Sequence, residues 1–344
     1  MSPIAGSNKG ERIALVAGRA VDSEMNVSGL EEAGFVVERK RELENVLDPE
    51  RVVAGLRDCW GVVAGGEVYS RAVLEALPRL RVVARMGVGY DRVDVAAATN
   101  LGVLVSITPN TIEPAVAEWT VAHILAVRRR LFLADRAVRN GKWTLPQVLS
   151  PSLVGATVGL IGLGRIGREV VKRLAGFGCT LIGSDPVADV GEWRERGVEV
   201  VDLDTLLARS DVVSLHVPLT DKTRGLIGAS EIAHMRPSAI VINTSRGGLI
   251  DEDALATAIR DGRLAGAGLD AFSHEPLPAT SPLLGLDNVV LTGHVAYATR
   301  AAALSAGQSA IQAIVKLARG EIPFGALNPE VIEQSLGRRA TAAG

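Results

Sequence analysis

Arg246 follows an apolar run at 239–243 and precedes two glycines, in the segment INTSRGG. An arginine at the end of such a run has no place in a core. Its planar fork suits bidentate capture of a carboxylate, and its charge polarises an adjacent carbonyl. The segment GLDAFSHEP follows with Asp270, His274 and Glu275, and LTGHVAY brings His294. A histidine titrates near neutrality, so it can give a proton to an oxygen that gains charge and take it back. A carboxylate behind it fixes the ring and stabilises the imidazolium. Glu275 with His294 fits that pairing, and Arg246 fits a substrate carboxylate, a set suited to hydride reduction of a 2-oxo acid. His274 is the weaker rival acid, because it adjoins Glu275 in a loop.

The hydride would come from a dinucleotide, and one stretch has the pattern to hold it: TVGLIGLGRIGREVVKRLAGFGCTLIGSD, residues 157–185. An apolar strand runs into Gly162, Gly164 and Gly167, a helix follows, and a second strand ends at Asp185. Gly162 permits the tight turn, Gly164 lets backbone approach the pyrophosphate, and Gly167 lets the helix pack on the strand. A carboxylate at 185 would accept from the adenosine ribose hydroxyls and repel a 2′-phosphate, so NAD is preferred over NADP. Arg194 and Arg196 are the nearby cations and read as a solvated helix face.

The other histidines have plainer readings: His123 as core or interface on an apolar helix, His234 as a solvated helix end, His216 as a structural or cofactor-lining residue. Five histidines and two cysteines form no ligand cluster, so no metal is expected. Cys59 and Cys179 read as reduced thiols of a cytoplasmic protein. The formal net charge is only −2, which gives nucleic acid or an anionic membrane nothing to attract. The N-terminus lacks an apolar signal region and no run reaches membrane-spanning length, so neither secretion nor insertion is expected.

The elements that must position these side chains follow from periodicity. A length of 344 residues leads us to expect two domains. In the first third, β-branched runs at 12–17, 35–38, 61–64, 81–84 and 103–106 alternate with helical patterns at 48–57, 70–77 and 93–100, which predicts a parallel sheet. Residues 113–138 carry apolar residues at helical spacing with Pro114 in the first turn, predicting one long helix that opens the second domain. Beyond Asp185, strands are expected at 198–201, 211–215, 239–243, 266–270 and 289–291, with helices around 205–208, 229–234 and 252–261. A last Ala-rich helix at 301–319 is placed to return to the first domain, and 337–344 reads as a disordered tail. The fold expected is α/β, with two Rossmann-like domains, each a parallel sheet flanked by helices. Residues 1–110 and 296–344 form a flavodoxin-like substrate domain and 111–295 the NAD-binding domain, with the active site in the cleft between them.

The motifs ARMGVGYDRVD, GLIGLGRIG, HVPLTDKTRGLI, INTSRGGLIDEDAL and GAGLDAFSHEPLP, then the His294 segment, stand in an order that resembles the D-isomer-specific 2-hydroxyacid dehydrogenases from about residue 12 to 328. The resemblance implies Arg246, Glu275 and His294 as catalytic residues, a D product and a homodimer built partly on the long helix near 116–139. It also implies that backbone N–H groups at Val88 and Gly89 hold the substrate carboxylate, and that Asp270 lies near the nicotinamide carboxamide. Arg165, Ile166, Val217, Pro218, Thr244 and Ser245, with Thr108 more distantly, match positions lining the cofactor. The sequence departs from the family pattern at Gly293, where proline usually precedes the histidine, and at Tyr297, which would narrow the substrate pocket or hydrogen-bond within it. Residues 62–70 lack the Arg-Ser pair of phosphoglycerate enzymes, although Arg85 is present on the substrate side. Two rival readings share the fold: an NAD-sensing corepressor-like protein and a phosphite-type dehydrogenase.

Overall fold

The computed structural model describes residues 8–18, 20–21, 23–143 and 149–337. The chain divides into two compact units, Met1–Ile112 with Ala298–Gly344, and Glu113–Tyr297.

In the first unit β1 (Arg12–Leu15), β2 (Val36–Arg39), β3 (Cys59–Ala64), β4 (Val82–Arg85) and β5 (Leu104–Ser106) make one parallel sheet in the order β2-β1-β3-β4-β5. This is the flavodoxin-like order, with its switch point between β1 and β3. The central strand β3, CWGVVA, is buried along its whole length. A strand covered on both faces reads as a continuous apolar run rather than an alternating one. One face is covered by the Arg300–Ala318 helix, whose Ile311, Ile314 and Leu317 join Ile13, Trp60 and Val82 in the core. Thr299 caps that helix by accepting from the Ala302 N–H.

The second unit holds β6 (Thr157–Ile161), β7 (Thr180–Ser184), β8 (Val198–Val200), β9 (Val212–Leu215), β10 (Ile240–Asn243), β11 (Gly266–Leu269) and β12 (Val289–Leu291), all parallel, in the order β12-β11-β10-β9-β6-β7-β8. Strand order reverses between β6 and β9, and an open parallel sheet offers its ligand crevice outside the strand ends at such a point. The glycine turn, the 216–218 loop, Arg246, Asp270 and His294 all follow the carboxyl ends of these strands.

The element boundaries correct the expected ones in one substantial place. The helix expected over 113–138 is two helices, Glu113–Arg128 and Leu131–Arg139, separated by Arg130 in the left-handed conformation at φ 53°. The first buries a face made of Val116, Ala117, Ile124 and Val127 among others; the second buries no residue. Packing therefore fixes the first helix more firmly than the second, which is held by partly buried Leu133, Ala134 and Ala137 and by an Arg136–Asp287 ion pair at 2.8 Å. The expected strands at 211–215 and 266–270 lose an aspartate each, Asp211 at the start of one and Asp270 at the end of the other. Both carboxylates also accept backbone N–H groups, Asp211 from Thr157 and Asp270 from Val295 and Ala296. The tail at 338–344 lies outside the described residues, and no helix among those described is long and apolar enough to cross a membrane.

Candidate active site

Gly162 takes φ 98°, and a Cβ there would lie 2.7 Å from the His216 carbonyl oxygen. At Gly167 a Cβ would lie 2.5 Å from the Gly162 carbonyl oxygen, so the helix presses directly on the turn. Gly164 is different, because among the described residues no atom beyond its chain neighbours lies within 4 Å of where its Cβ would be. Glycine there leaves clear space before the Arg165–Leu174 helix, whose N-cap makes no side-chain hydrogen bond. Exposed N–H groups at a helix N-terminus with open ground in front fit a pyrophosphate. Arg165 is exposed and Ile166 half-buried on the first turn of that helix.

Asp185 sits half-buried at the end of β7, its Oδ2 accepting from Leu163 N–H at 2.9 Å and its Oδ1 from Val187 N–H at 3.0 Å. The carboxylate is thereby fixed against the glycine turn. Arg168 pairs with Glu192 and lies 5.3 Å over the Trp193 ring, Arg196 reaches the same Glu192 at 3.2 Å, and Arg194 is exposed, in keeping with a solvated helix face. After β9, Val217 is half-buried and Pro218 exposed. His216 is buried, with Nε2 2.9 Å from Ser214 Oγ, and burial pushes its imidazole down to about 4.

Beyond β10 the chain is held by Asn243, whose Oδ1 accepts from Ser245 N–H at 3.0 Å and whose Nδ2 donates to the Arg246 carbonyl at 2.7 Å. Thr244 and Ser245 are buried; Ser245 Oγ donates to the Leu215 carbonyl at 2.8 Å. Thr244 Oγ1 lies 2.7 Å from Thr120 Oγ1. Since Thr120 spends its proton on the Val116 carbonyl, Thr244 is the donor between them. Arg246 is half-buried, with Nη1 donating to the Ser245 carbonyl at 2.8 Å. A Cβ at Gly247 would lie 1.8 Å from the Phe272 carbonyl carbon, so the Arg246 turn rests on the backbone that leads to Glu275.

Glu275 and His294 meet. Glu275 Oε1 is 2.8 Å from His294 Nδ1 and also accepts from Phe272 N–H at 3.2 Å. A carboxylate only accepts, so His294 donates from Nδ1 and leaves Nε2 as the nitrogen that can exchange a proton. His294 has φ 56°, a conformation that costs a non-glycine residue about 1–2 kcal/mol. Asp270 holds it there: its carbonyl accepts from His294 N–H at 2.7 Å, its Oδ1 from Val295 N–H at 3.1 Å and its Oδ2 from Ala296 N–H at 2.9 Å. Tyr297 follows, 40% exposed, and His274 lies exposed in the loop before Glu275.

In the first unit, Thr108 is buried and its Oγ1 accepts from Gly87 N–H at 2.7 Å, which shapes the loop bearing Val88 and Gly89. Arg85 Nε donates to the Gly89 carbonyl at 3.1 Å and braces the other end of that loop. Glu67, fully buried, accepts from Gly65 N–H at 2.7 Å and Asn45 N–H at 2.9 Å, and burial pushes its carboxyl above the ordinary range.

Residues 121–296 match the model of the D-isomer specific 2-hydroxyacid dehydrogenase NAD-binding domain. A glyoxylate reductase from Korarchaeum cryptofilum is 40% identical over 82% of this chain and 86% of its own. The chain belongs to the D-isomer specific 2-hydroxyacid dehydrogenase family. Its class is therefore that of NAD-dependent oxidoreductases acting on 2-hydroxy acids. A D-3-phosphoglycerate dehydrogenase from Methanocaldococcus jannaschii is 40% identical over 90% of this chain, which spans 58% of that longer protein. A crystal structure of an NADPH-dependent glyoxylate/hydroxypyruvate reductase from Sinorhizobium meliloti, in complex with NADP and malonate, superposes with a TM-score of 0.78 at 31% identity, covering 93% of this chain and 98% of that one.

Within this dehydrogenase, sequence reasoning passed over the supporting residues Asn243, Thr292 and Trp119. Trp119 Nε1 donates to Asp270 Oδ1 and Thr292 Oγ1, both at 3.3 Å. His123, read from the sequence as core or interface, has Nε2 3.1 Å from Thr292 Oγ1. Asn243 carried one signal, a polar residue ending an apolar strand just before a reactive side chain. Trp119 and Thr292 carried none, because their roles exist only once the helix lies across the ends of β11 and β12.

Proposed function

We propose that this protein interconverts a small 2-oxo acid and its D-2-hydroxy acid, with His294 as acid and base, Glu275 as its partner and Arg246 as the substrate's anchor. The observation that carries this reading is the 2.8 Å bond between His294 Nδ1 and Glu275, in a loop that Asp270 fixes through three backbone N–H groups. The dinucleotide, when bound, supplies or accepts the hydride. Arg246 would hold the carboxylate and draw electron density from the carbonyl as charge builds on its oxygen. His294 would pass its Nε2 proton to that oxygen, while Glu275 keeps the Nδ1 proton in place and stabilises the imidazolium beforehand.

For the dinucleotide, the Gly162–Gly167 turn would hold the pyrophosphate and Asp185 the ribose hydroxyls, with Arg165, Ile166, Val217, Pro218, Thr244 and Ser245 lining the rest. Preference for NADH is supported by the fixed Asp185 carboxylate, which would repel a 2′-phosphate. Glyoxylate heads the substrate class because a glyoxylate reductase is matched over 86% of its length, whereas the chain spans 58% of the equally similar phosphoglycerate dehydrogenase. The second unit would pair with that of another copy through the Leu131–Arg139 helix.

The test is steady-state turnover, followed by NADH absorbance, with glyoxylate, hydroxypyruvate, pyruvate, phosphohydroxypyruvate and phosphite, in both cofactors. Reduction of a 2-oxo acid that His294→Ala abolishes, faster with NADH than NADPH, is expected. Activity with phosphite alone, or none with any 2-oxo acid, would overturn the reading.

A further inference from the structure

In the first unit the crevice at the switch point opens beyond the carboxyl ends of β1, β3 and β4, and glycines follow each strand: Gly18 after β1, Gly65 and Gly66 after β3, Gly87 and Gly89 after β4. Backbone N–H groups at such ends can turn toward an anion. Here three of them already meet side-chain oxygens of the chain itself. Gly18 N–H donates to Glu44 Oε1 at 3.0 Å, Gly65 N–H to Glu67 Oε2 at 2.7 Å and Gly66 N–H to Asn45 Oδ1 at 3.1 Å. Asn45 also gives its own N–H to Glu67 Oε1 at 2.9 Å. The dipeptide Glu44–Asn45 thus ties the ends of β1 and β3 together, with Asn45 in the left-handed conformation at φ 60°.

The space is taken as well as the donors. A Cβ at Gly65 would lie 2.9 Å from Glu67 Oε1, and one at Gly66 would lie 2.5 Å from Asn45 Oδ1. Arg85 and Arg92 face loop carbonyls: Arg85 Nε donates to that of Gly89 at 3.1 Å, Arg92 Nη1 to that of Gly66 at 2.8 Å, and the Arg85 charge also opposes the burial of Glu67. The N–H groups of Val88 and Gly89 differ, since they donate to nothing among the described residues. The loop after β3 is their neighbour across the sheet, and Tyr69 N–H, bonded to the Arg92 carbonyl at 2.8 Å, ties the two loops together.

We propose that Glu44, Asn45 and Glu67 are specificity-determining residues, which fill the strand-end donors with their own oxygens and restrict the substrate to a 2-oxo acid with one anionic group. A phosphate or second carboxylate on the substrate's tail meets acceptors where it needs donors, and it gives up water for no partner. The inference rests on the proposed 2-oxo acid reduction, with Val88 and Gly89 seating the one carboxylate.

The experiment compares hydroxypyruvate with phosphohydroxypyruvate, which differ only in the phosphate, by kcat/KM in wild type, Asn45→Gly and Glu44→Ala. Glycine at 45 keeps the left-handed backbone and frees the Gly66 N–H; alanine at 44 frees that of Gly18. Wild type should favour hydroxypyruvate by roughly a hundredfold or more, and each variant should narrow that ratio roughly tenfold, the worth of one hydrogen bond to a charged group. A ratio is insensitive to a general loss of active protein. 2-Oxohexanoate, whose longer tail is uncharged, controls for space: relative to hydroxypyruvate it should change by less than about twofold, because an apolar tail makes no bond to a freed N–H. A wild type that reduces phosphohydroxypyruvate as well as hydroxypyruvate overturns the proposal, as does an unchanged ratio in both variants or an equal gain for 2-oxohexanoate. No turnover with any 2-oxo acid, glyoxylate included, would instead sink the reaction itself and the proposal with it.

Discussion

At the scale of single residues the reactive groups are oriented by neighbours that do no chemistry themselves. Arg246 illustrates the point: Asn243 holds its carbonyl, Gly247 seats its turn on the Phe272 backbone, and the guanidinium is left at the carboxyl end of β10. Arg246→Lys keeps the charge but loses the fork that holds two oxygens at once. Transition-state stabilisation should fall by about 2–5 kcal/mol, the range for truncating a desolvated charged pair. NADH affinity should change much less, because the glycine turn and Asp185 are its proposed anchors. The measurement is kcat/KM for the best 2-oxo acid beside the NADH dissociation constant, and an equal collapse of both would show that Arg246 is not the substrate's clamp. Arg246, Glu275 and His294 stood out in the sequence because charged and titratable groups beside glycines after apolar strands have few structural uses. Trp119 and His123 did not, since an aromatic ring and an imidazole on an otherwise apolar helix read as packing until the helix is placed against Thr292.

At the scale of elements, two glycines that look alike in the sequence have opposite physical reasons, and they separate binding from folding. Among the described residues a methyl at Gly164 meets no atom beyond its chain neighbours within 4 Å, whereas one at Gly247 would lie 1.8 Å from backbone carbon. Gly164→Ala should therefore melt within about a degree of wild type, in keeping with a surface change that touches nothing. It should nonetheless weaken NADH binding at least tenfold, since the methyl occupies the approach to the helix N-terminus. Gly247→Ala should lose about 1–3 kcal/mol or more of stability, the range for overpacking, because backbone cannot rotate aside as a flexible side chain can. Thermal melts and NADH titrations of both variants check this; a destabilised Gly164→Ala would show that the open ground is filled by protein in solution. The alternation of strands and helices was legible for the same reason the glycines were, since a doubly covered parallel sheet forces short apolar runs between amphipathic patterns. The break at Arg130 was not. Apolar spacing continues through it, and only burial, ample in Glu113–Arg128 and absent in Leu131–Arg139, distinguishes the two helices.

At the scale of the whole molecule, acid and association test different faces of the chain. His216 is held neutral, its Nδ1 buried without a hydrogen-bond partner among the described residues, and its folded value of about 4 lies below the unfolded one near 6.5. The unfolded chain therefore takes up a proton that the native one refuses, so this stability is full above pH 6.5 and is lost as pH falls toward 4, by about 3 kcal/mol in all. His123, also pushed down by burial, adds in the same direction. Denaturant midpoints between pH 7.5 and 5 should fall less steeply for His216→Gln than for wild type, and parallel slopes would remove the argument. Association concerns the Leu131–Arg139 helix, which has no fully buried residue and exposes Leu131 by 58%, Phe132 by 57% and Val138 by 53%. Trp143, 86% exposed, and Leu149, 98%, follow in sequence. Exposed apolar side chains on one helix would suit an interaction surface, and a second copy of the same chain is the commonest occupant of such a surface. Aromatic anchors dominate interfaces, and losing one costs about 2–4 kcal/mol, or roughly 30- to 1000-fold in the dissociation constant. Phe132→Asp adds a desolvated charge to that loss and should turn a dimer at micromolar concentration into a monomer by sedimentation velocity. Its melting temperature at high dilution should lie close to that of diluted wild type, because Phe132 is 57% exposed and outside the core. A wild-type protein that sediments as a monomer, or a Phe132→Asp variant that stays dimeric, would place the interface elsewhere or dispense with it.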